Sequence, residues 1–117
     1  MPKVFISHSS SDKSFTNLLA KLLDFHHIGS WYDSSDILPG SKFSVEIEEA
    51  LSNSESLIAV ISKNSLQSDW VKREVIYFQA KNPNNIVPLL LDDTNPSDFY
   101  KLTPGFEQYQ AIKLFYF

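Results

Sequence analysis

A carboxylate set inside an apolar helix stripe is the feature of this sequence that most directly invites chemistry. Residues 68–75 read Ser-Asp-Trp-Val-Lys-Arg-Glu-Val, and a helix there advances about 100° per residue. With Trp70 at zero, Phe78 falls near ~80°, Val71 near ~100°, Val75 near ~140° and Glu74 near ~40°. Glu74 therefore shares the stripe and does not lie on the polar side with Lys72 and Arg73. An ionised carboxylate in that position loses solvation unless something compensates it. It stands about a turn and a half from the helix start, with Trp70 one turn above on the same face. Two readings stay open. Glu74 is an edge residue that reaches water or pairs with a lysine, or it is a functional acid, since half-buried acids cluster at sites.

Weaker candidates surround it. Ser7-His8-Ser9-Ser10-Ser11 precedes a helix start and could hold phosphate through hydroxyls and free N–H groups. It lacks the glycines of a Walker or Rossmann loop, and an ordinary capped turn explains it equally well. His8 is a possible base without a readable Ser–Asp partnership. Asp33 ends a strand, where it meets a ribose or caps its own loop. His26 and His27, beside a helix end, read as surface residues, and Glu46, Glu48 and Glu49 as a solvated helix face. The chain has no cysteine, which removes disulfides, thiolate metal sites and cysteine nucleophiles together and fits a reducing compartment. With no His/Cys cluster either, no structural metal is expected.

The elements that must position these residues alternate along the chain. Residues 3–7 read as a strand, with Ser11 as N-cap and Asp12 favoured by the helix dipole at the start of a helix. Phe15, Leu18, Leu19, Leu22 and Leu23 give that helix one apolar face, and Gly29 stops it. Residues 30–33 form a second strand and 34–40 a loop ending in Pro39-Gly40. Phe43, Ile47, Ala50 and Leu51 mark a second helix. Residues 57–61, a continuous apolar run, suit a central parallel strand covered on both sides. Ser68 caps a helix to about Lys81, residues 82–85 break it, and 86–91 and 111–117 supply two more strands. Five strands with helices between them imply parallel pairing through right-handed crossovers. Ligands of such sheets bind beyond the carboxyl ends of the strands, where the strand order reverses.

The bulk properties narrow the classes. At 117 residues, 43% hydrophobic and 14% aromatic, the chain has enough material for one packed domain spanning residues 1–117. A formal net charge of −4 with no basic stripe argues against nucleic acid. The first apolar run is too short for a signal peptide, and none reaches the length of a membrane span, so a cytoplasmic protein with no membrane partner is expected.

Taken together, Val4–Lys13 (VFISHSSSDK), Trp31–Gly40 (WYDSSDILPG), Lys42–Ser62 and Ser68–Val75 (SDWVKREV) resemble the TIR domain family, bacterial type. Each motif alone is weak; four in order over nearly the whole chain are specific. The resemblance implies a flavodoxin-like, doubly wound five-stranded parallel sheet of order 2-1-3-4-5 with helices on both faces. It also implies one of two uses. The first is an NAD glycohydrolase releasing nicotinamide and ADP-ribose or a cyclic variant, acting as an assembly-activated defence effector, with NAD as substrate and no cofactor. The second is a non-catalytic scaffold for other TIR domains. By position, Glu74 would be catalytic, Ser7, His8, Asp33 and Trp70 would bind substrate, and Asp36, Ile37, Leu38, Pro39 and Gly40 would form the loop used in self-association. The closing helix common in the family is not apparent after the last strand. Ser35-Asp36 stands where animal signalling members often have Arg-Asp, and His8 stands where NAD-cleaving members often have an aromatic. A phospho-receiver is excluded because Ser7-His8 and Ser62 occupy its acidic positions, and the serine loop lacks a flavodoxin's glycine and threonines.

Overall fold

The computed structural model describes residues 3–32, 44–101, 103 and 105–114, and the statements below concern these. Five strands, β1 (Val4–Ser7), β2 (Ser30–Trp31), β3 (Ser56–Ile61), β4 (Ile86–Leu90) and β5 (Ile112–Lys113), form one sheet in the order β2-β1-β3-β4-β5. Every pairing is parallel, with Phe5 opposite Leu57, Leu57 opposite Ile86 and Ser7 opposite Ala59. The expected order and direction of the strands are those observed.

Side-chain alternation along the strands sorts the two faces. Phe5, Leu57, Ala59, Ile61, Ile86 and Leu90 join one buried cluster. Helix α2 (Val45–Asn53) adds Ile47, Ala50 and Leu51, and α4 (Asp69–Lys81) adds Val71, Val75 and Phe78. Phe99 of α5 (Pro96–Tyr100) and Phe106 complete it. Ile6, Val60 and Leu89 are buried outside that cluster, on the opposite face. Right-handed crossovers explain the division. The step from β1 to β2 runs one way across the sheet and the step from β2 to β3 runs back, so α1 (Lys13–Phe25) and α2 take opposite faces. The strand order reverses between β1 and β3, and the loops leaving these two strands flank the crevice there.

Several local expectations are corrected. Ser9, not Ser11, is the capping serine: its Oγ accepts from Ser11 N–H at the head of a 3-10 turn, Ser10–Asp12, which precedes α1. Helix α1 ends before Gly29. His27 takes a left-handed φ of 61° while its N–H donates to Asp24 O and that of Ile28 to Leu23 O, closing the helix end. The apolar face of α1 is only partly used. Phe15, Leu19 and Leu23 are half-buried, whereas Leu18 is 66% and Leu22 57% exposed, and the described residues place no second helix on that face.

A short helix, α3 (Lys63–Leu66), follows β3 directly, held by a reciprocal box in which Ser62 Oγ accepts from Ser65 N–H and Ser65 Oγ from Ser62 N–H. The polar stretch after β4 contains α5, capped by Asn95 with Pro96 at its first position. Observed β2 and β5 are shorter than read from sequence; Asp33 and residues 115–117 lie outside the described residues.

Candidate active site

Helix α4 carries Glu74 to the sheet. Ser68 Oγ accepts from Val71 N–H at 3.2 Å, and Asp69 in the first turn and Lys81 in the last suit the dipole. The helix packs over β1, β3 and α2, which buries Val71, Val75 and Phe78. Glu74 goes with them: it is 2% exposed. The position inside the stripe is therefore real, and the reading in which Glu74 reaches water at the stripe's edge is not the one observed.

Ser7 meets that carboxylate. It is the last residue of β1 and alternates with Ile6, so it faces the same side as Phe5, toward α4. Its Oγ–H donates to Glu74 Oε1 at 2.9 Å, and Ser7 is fully buried. A hydrogen bond to a charged group contributes about 1.5–3 kcal/mol, which offsets part of the desolvation of the carboxylate. The bond fixes the rotamer of Glu74 at the carboxyl end of β1, beside the strand-order reversal.

Around this pair, His8 is buried and meets the ring of Tyr32 edge-on, centroids 5.6 Å apart. Tyr32 directly follows β2, and its hydroxyl donates to Asn17 Oδ1 of α1 at 2.7 Å, which holds the ring in place. Trp70 is half-buried one turn before Glu74, and the Arg73 guanidinium lies 4.8 Å over its ring, a cation–π contact. Ser7, His8, Trp70 and Glu74 thus come from the ends of one strand and one helix that pack together. Asp33 and the Asp36–Gly40 loop fall outside the described residues.

Two side chains of the serine loop are engaged within the fold. The hydroxyl of Ser7 is given to Glu74 and Ser9 Oγ accepts from Ser11 N–H, so two of its hydroxyls serve the fold.

Sequence reasoning missed a second buried acid. Dipole grounds put Asp12 in a first helical turn, yet its side chain makes no cap bond to α1. Instead Asp12 Oδ2 accepts from Ser62 Oγ at 2.5 Å and Oδ1 from Asn64 Nδ2 at 2.9 Å. No local signal announces a contact between residues 50 positions apart. Tyr32 and Asn17 were missed as well, although an aromatic beside the end of β2 was visible in the sequence. Among the described residues no group of three or more His, Asp or Glu is placed to hold a metal, and no helix is long and apolar enough to cross a membrane.

Comparison with known proteins agrees with this architecture. A family model described as TIR domain matches residues 4–116. The chain is 32% identical over 82 residues to the 2' cyclic ADP-D-ribose synthase AbTIR of Acinetobacter baumannii (strain 1295743), covering 69% of this chain and 30% of that protein. It is 33% identical over 79 residues to the NAD(+) hydrolase TcpA of Theionarchaea archaeon (strain DG-70-1), covering 67% and 24% respectively. The chain thus spans no more than about a third of the length of these relatives. Among solved structures, the TIR domains of the activated Roq1 resistosome, which directly recognises the pathogen effector XopQ, superpose with a TM-score of 0.72 at 26% identity, over 86% of this chain and 63% of that one.

Proposed function

The chain belongs to the TIR domain family, and from that premise we propose that it is an NAD glycohydrolase domain with Glu74 as its catalytic carboxylate. The observation that carries the reading is the buried Ser7–Glu74 hydrogen bond at the carboxyl edge of the sheet, beside the strand-order reversal. The two curated relatives, one a cyclic ADP-ribose synthase and one an NAD(+) hydrolase, support the same reaction class.

The reaction suits a single carboxylate. Glycoside hydrolysis ordinarily employs two, one of them an acid that protonates a poor leaving group. In NAD the bond from ribose C1' to the pyridinium nitrogen breaks with its electron pair moving to nitrogen, and nicotinamide departs neutral. No leaving-group acid is needed. The positive charge left on the ribose has oxocarbenium character, and a fixed carboxylate stabilises it as it develops. Water then adds at C1' with loss of a proton to give ADP-ribose, or a hydroxyl of the same molecule adds to give a cyclic product. Low local dielectric strengthens the attraction between Glu74 and the sugar cation relative to water. Ser7 keeps the carboxylate in one orientation, Trp70 offers an aromatic face one turn away, and the family pattern assigns His8 and Asp33 to substrate binding.

Because Glu74 is 2% exposed, substrate reaches it only after its surroundings move. We therefore place activation in self-association through Asp36–Gly40, consistent with a cytoplasmic defence effector. The exposed Leu18, Leu22 and Phe25 along α1 favour a second reading, a non-catalytic interaction module. Free nicotinamide measured from NAD over a rising protein concentration separates the two. Turnover that rises faster than concentration supports the enzyme, and no release at any concentration supports the module.

A further inference from the structure

We propose that Asp12 is a positioning residue for this site, a buried brace that holds the loop after β1 against the loop after β3 and so sets the crevice between them. What the crevice binds rests on the functional reading above; the brace itself rests on geometry.

The hydrogen bonds leave little choice of arrangement. A serine hydroxyl has one proton and two lone pairs. Ser62 Oγ accepts from Asn64 N–H at 3.1 Å and from Ser65 N–H at 3.2 Å, which uses both lone pairs to cap α3. Its one proton is left for Asp12 Oδ2. Asn64, at the start of α3, donates its amide to the other carboxylate oxygen. On its own side Asp12 N–H donates to Ser9 O at 2.9 Å and Asp12 O accepts from Thr16 Oγ1 at 3.0 Å, so the backbone of the serine loop moves with this residue. Ser7 ties one end of that loop to α4 and Asp12 ties the other to β3 and α3. Only residues 8–11, His8 among them, span the interval.

These two connections border the crevice at the strand-order reversal. Without the brace, the serine loop and α3 gain conformations in which the crevice is not formed. Apparent affinity falls in proportion to the fraction of molecules that remain competent. Glu74 is held separately through Ser7, so the chemical step is left intact.

The test uses the full chain with Asp12→Ala, Asp12→Asn and Asn64→Ala, reading amide hydrogen exchange and NAD kinetics. For Asp12→Ala the expected result is faster exchange at Ser11, Asp12, Asn64 and Ser65 with α4 unchanged, together with a KM raised about tenfold and kcat within about twofold. Asp12→Asn keeps an oxygen for Ser62 and returns both readouts toward the parent. Asn64→Ala, at an exposed position, is expected to show the same local pattern more weakly and decides the question if Asp12→Ala does not fold. Unchanged exchange at those four amides, equal acceleration throughout the sheet and helices, or a lowered kcat at constant KM overturns the proposal. The exchange measurement needs no substrate. A protein that never cleaves NAD therefore refutes the functional reading while exchange still decides the brace.

Discussion

The Ser7 hydroxyl and the Glu74 carboxylate, 67 residues apart in the chain, are joined by a 2.9 Å hydrogen bond inside the protein. A strand end thereby orients the acid of a helix that packs across it. Burial alone would leave that acid costly and free to choose rotamers, whereas the serine gives it both a donor and a direction.

Ser7→Ala is expected to separate these contributions. Loss of the donor should lower kcat for nicotinamide release roughly tenfold or more, because a carboxylate displaced from its reacting geometry stabilises the developing charge less. The stability measured by urea unfolding should fall by about 1.5–3 kcal/mol. A loss of stability with unchanged kcat would assign Ser7 to the fold alone.

Trp70→Ala should raise KM for NAD, because stacking of a base on an aromatic ring contributes about 1–3 kcal/mol. Trp70→Phe keeps a ring and should recover most of that loss, even though it weakens the contact with Arg73. Ile76, exposed on the same helix, supplies the control: Ile76→Ala should leave both kinetic constants at their parent values. Steady-state kinetics on the three variants decides the point.

A pH effect should come from Asp92, just beyond β4. Burial pushes its carboxyl upward, but hydrogen bonds from Thr94 and the backbone of Lys63, with the charge of Lys63, outweigh burial and hold it below the usual carboxylate range. A folded value below the unfolded one, about 3.9, means the group stabilises the fold above that pH and loses the contribution as pH falls through the folded value. Asp92→Asn should therefore be less stable than the parent at pH near 7, and the difference should shrink below about pH 4. Urea unfolding at both pH values tests it, and a difference that grows on acidification would contradict the sign.

Much of this architecture was legible because it is written in local periodicity. The stripe Trp70, Val71, Val75, Phe78 put Glu74 on the buried side, and period-2 alternation in β1 put Ser7 on the same face as Phe5. Contacts between distant loops carry no such period, which is why the bond from Ser62 to Asp12 went unread. Helix α3 was hidden because its start signal, two serines three apart, looks like loop composition. The residues after β4 carry no apolar period, so α5, capped by Asn95 with Pro96 at its first position, was not legible from periodicity. Leu18 and Leu22 show the limit of amphipathicity: a stripe states what a helix can bury, and burial further requires a neighbour on that side.

The most direct test of the account is Glu74→Gln, which keeps the shape of the side chain and an oxygen for Ser7 while removing the charge. Nicotinamide release from NAD should be abolished at protein concentrations where the parent turns over, with the circular dichroism spectrum unchanged. Sustained release by the folded variant would contradict the assignment of Glu74 as the catalytic carboxylate.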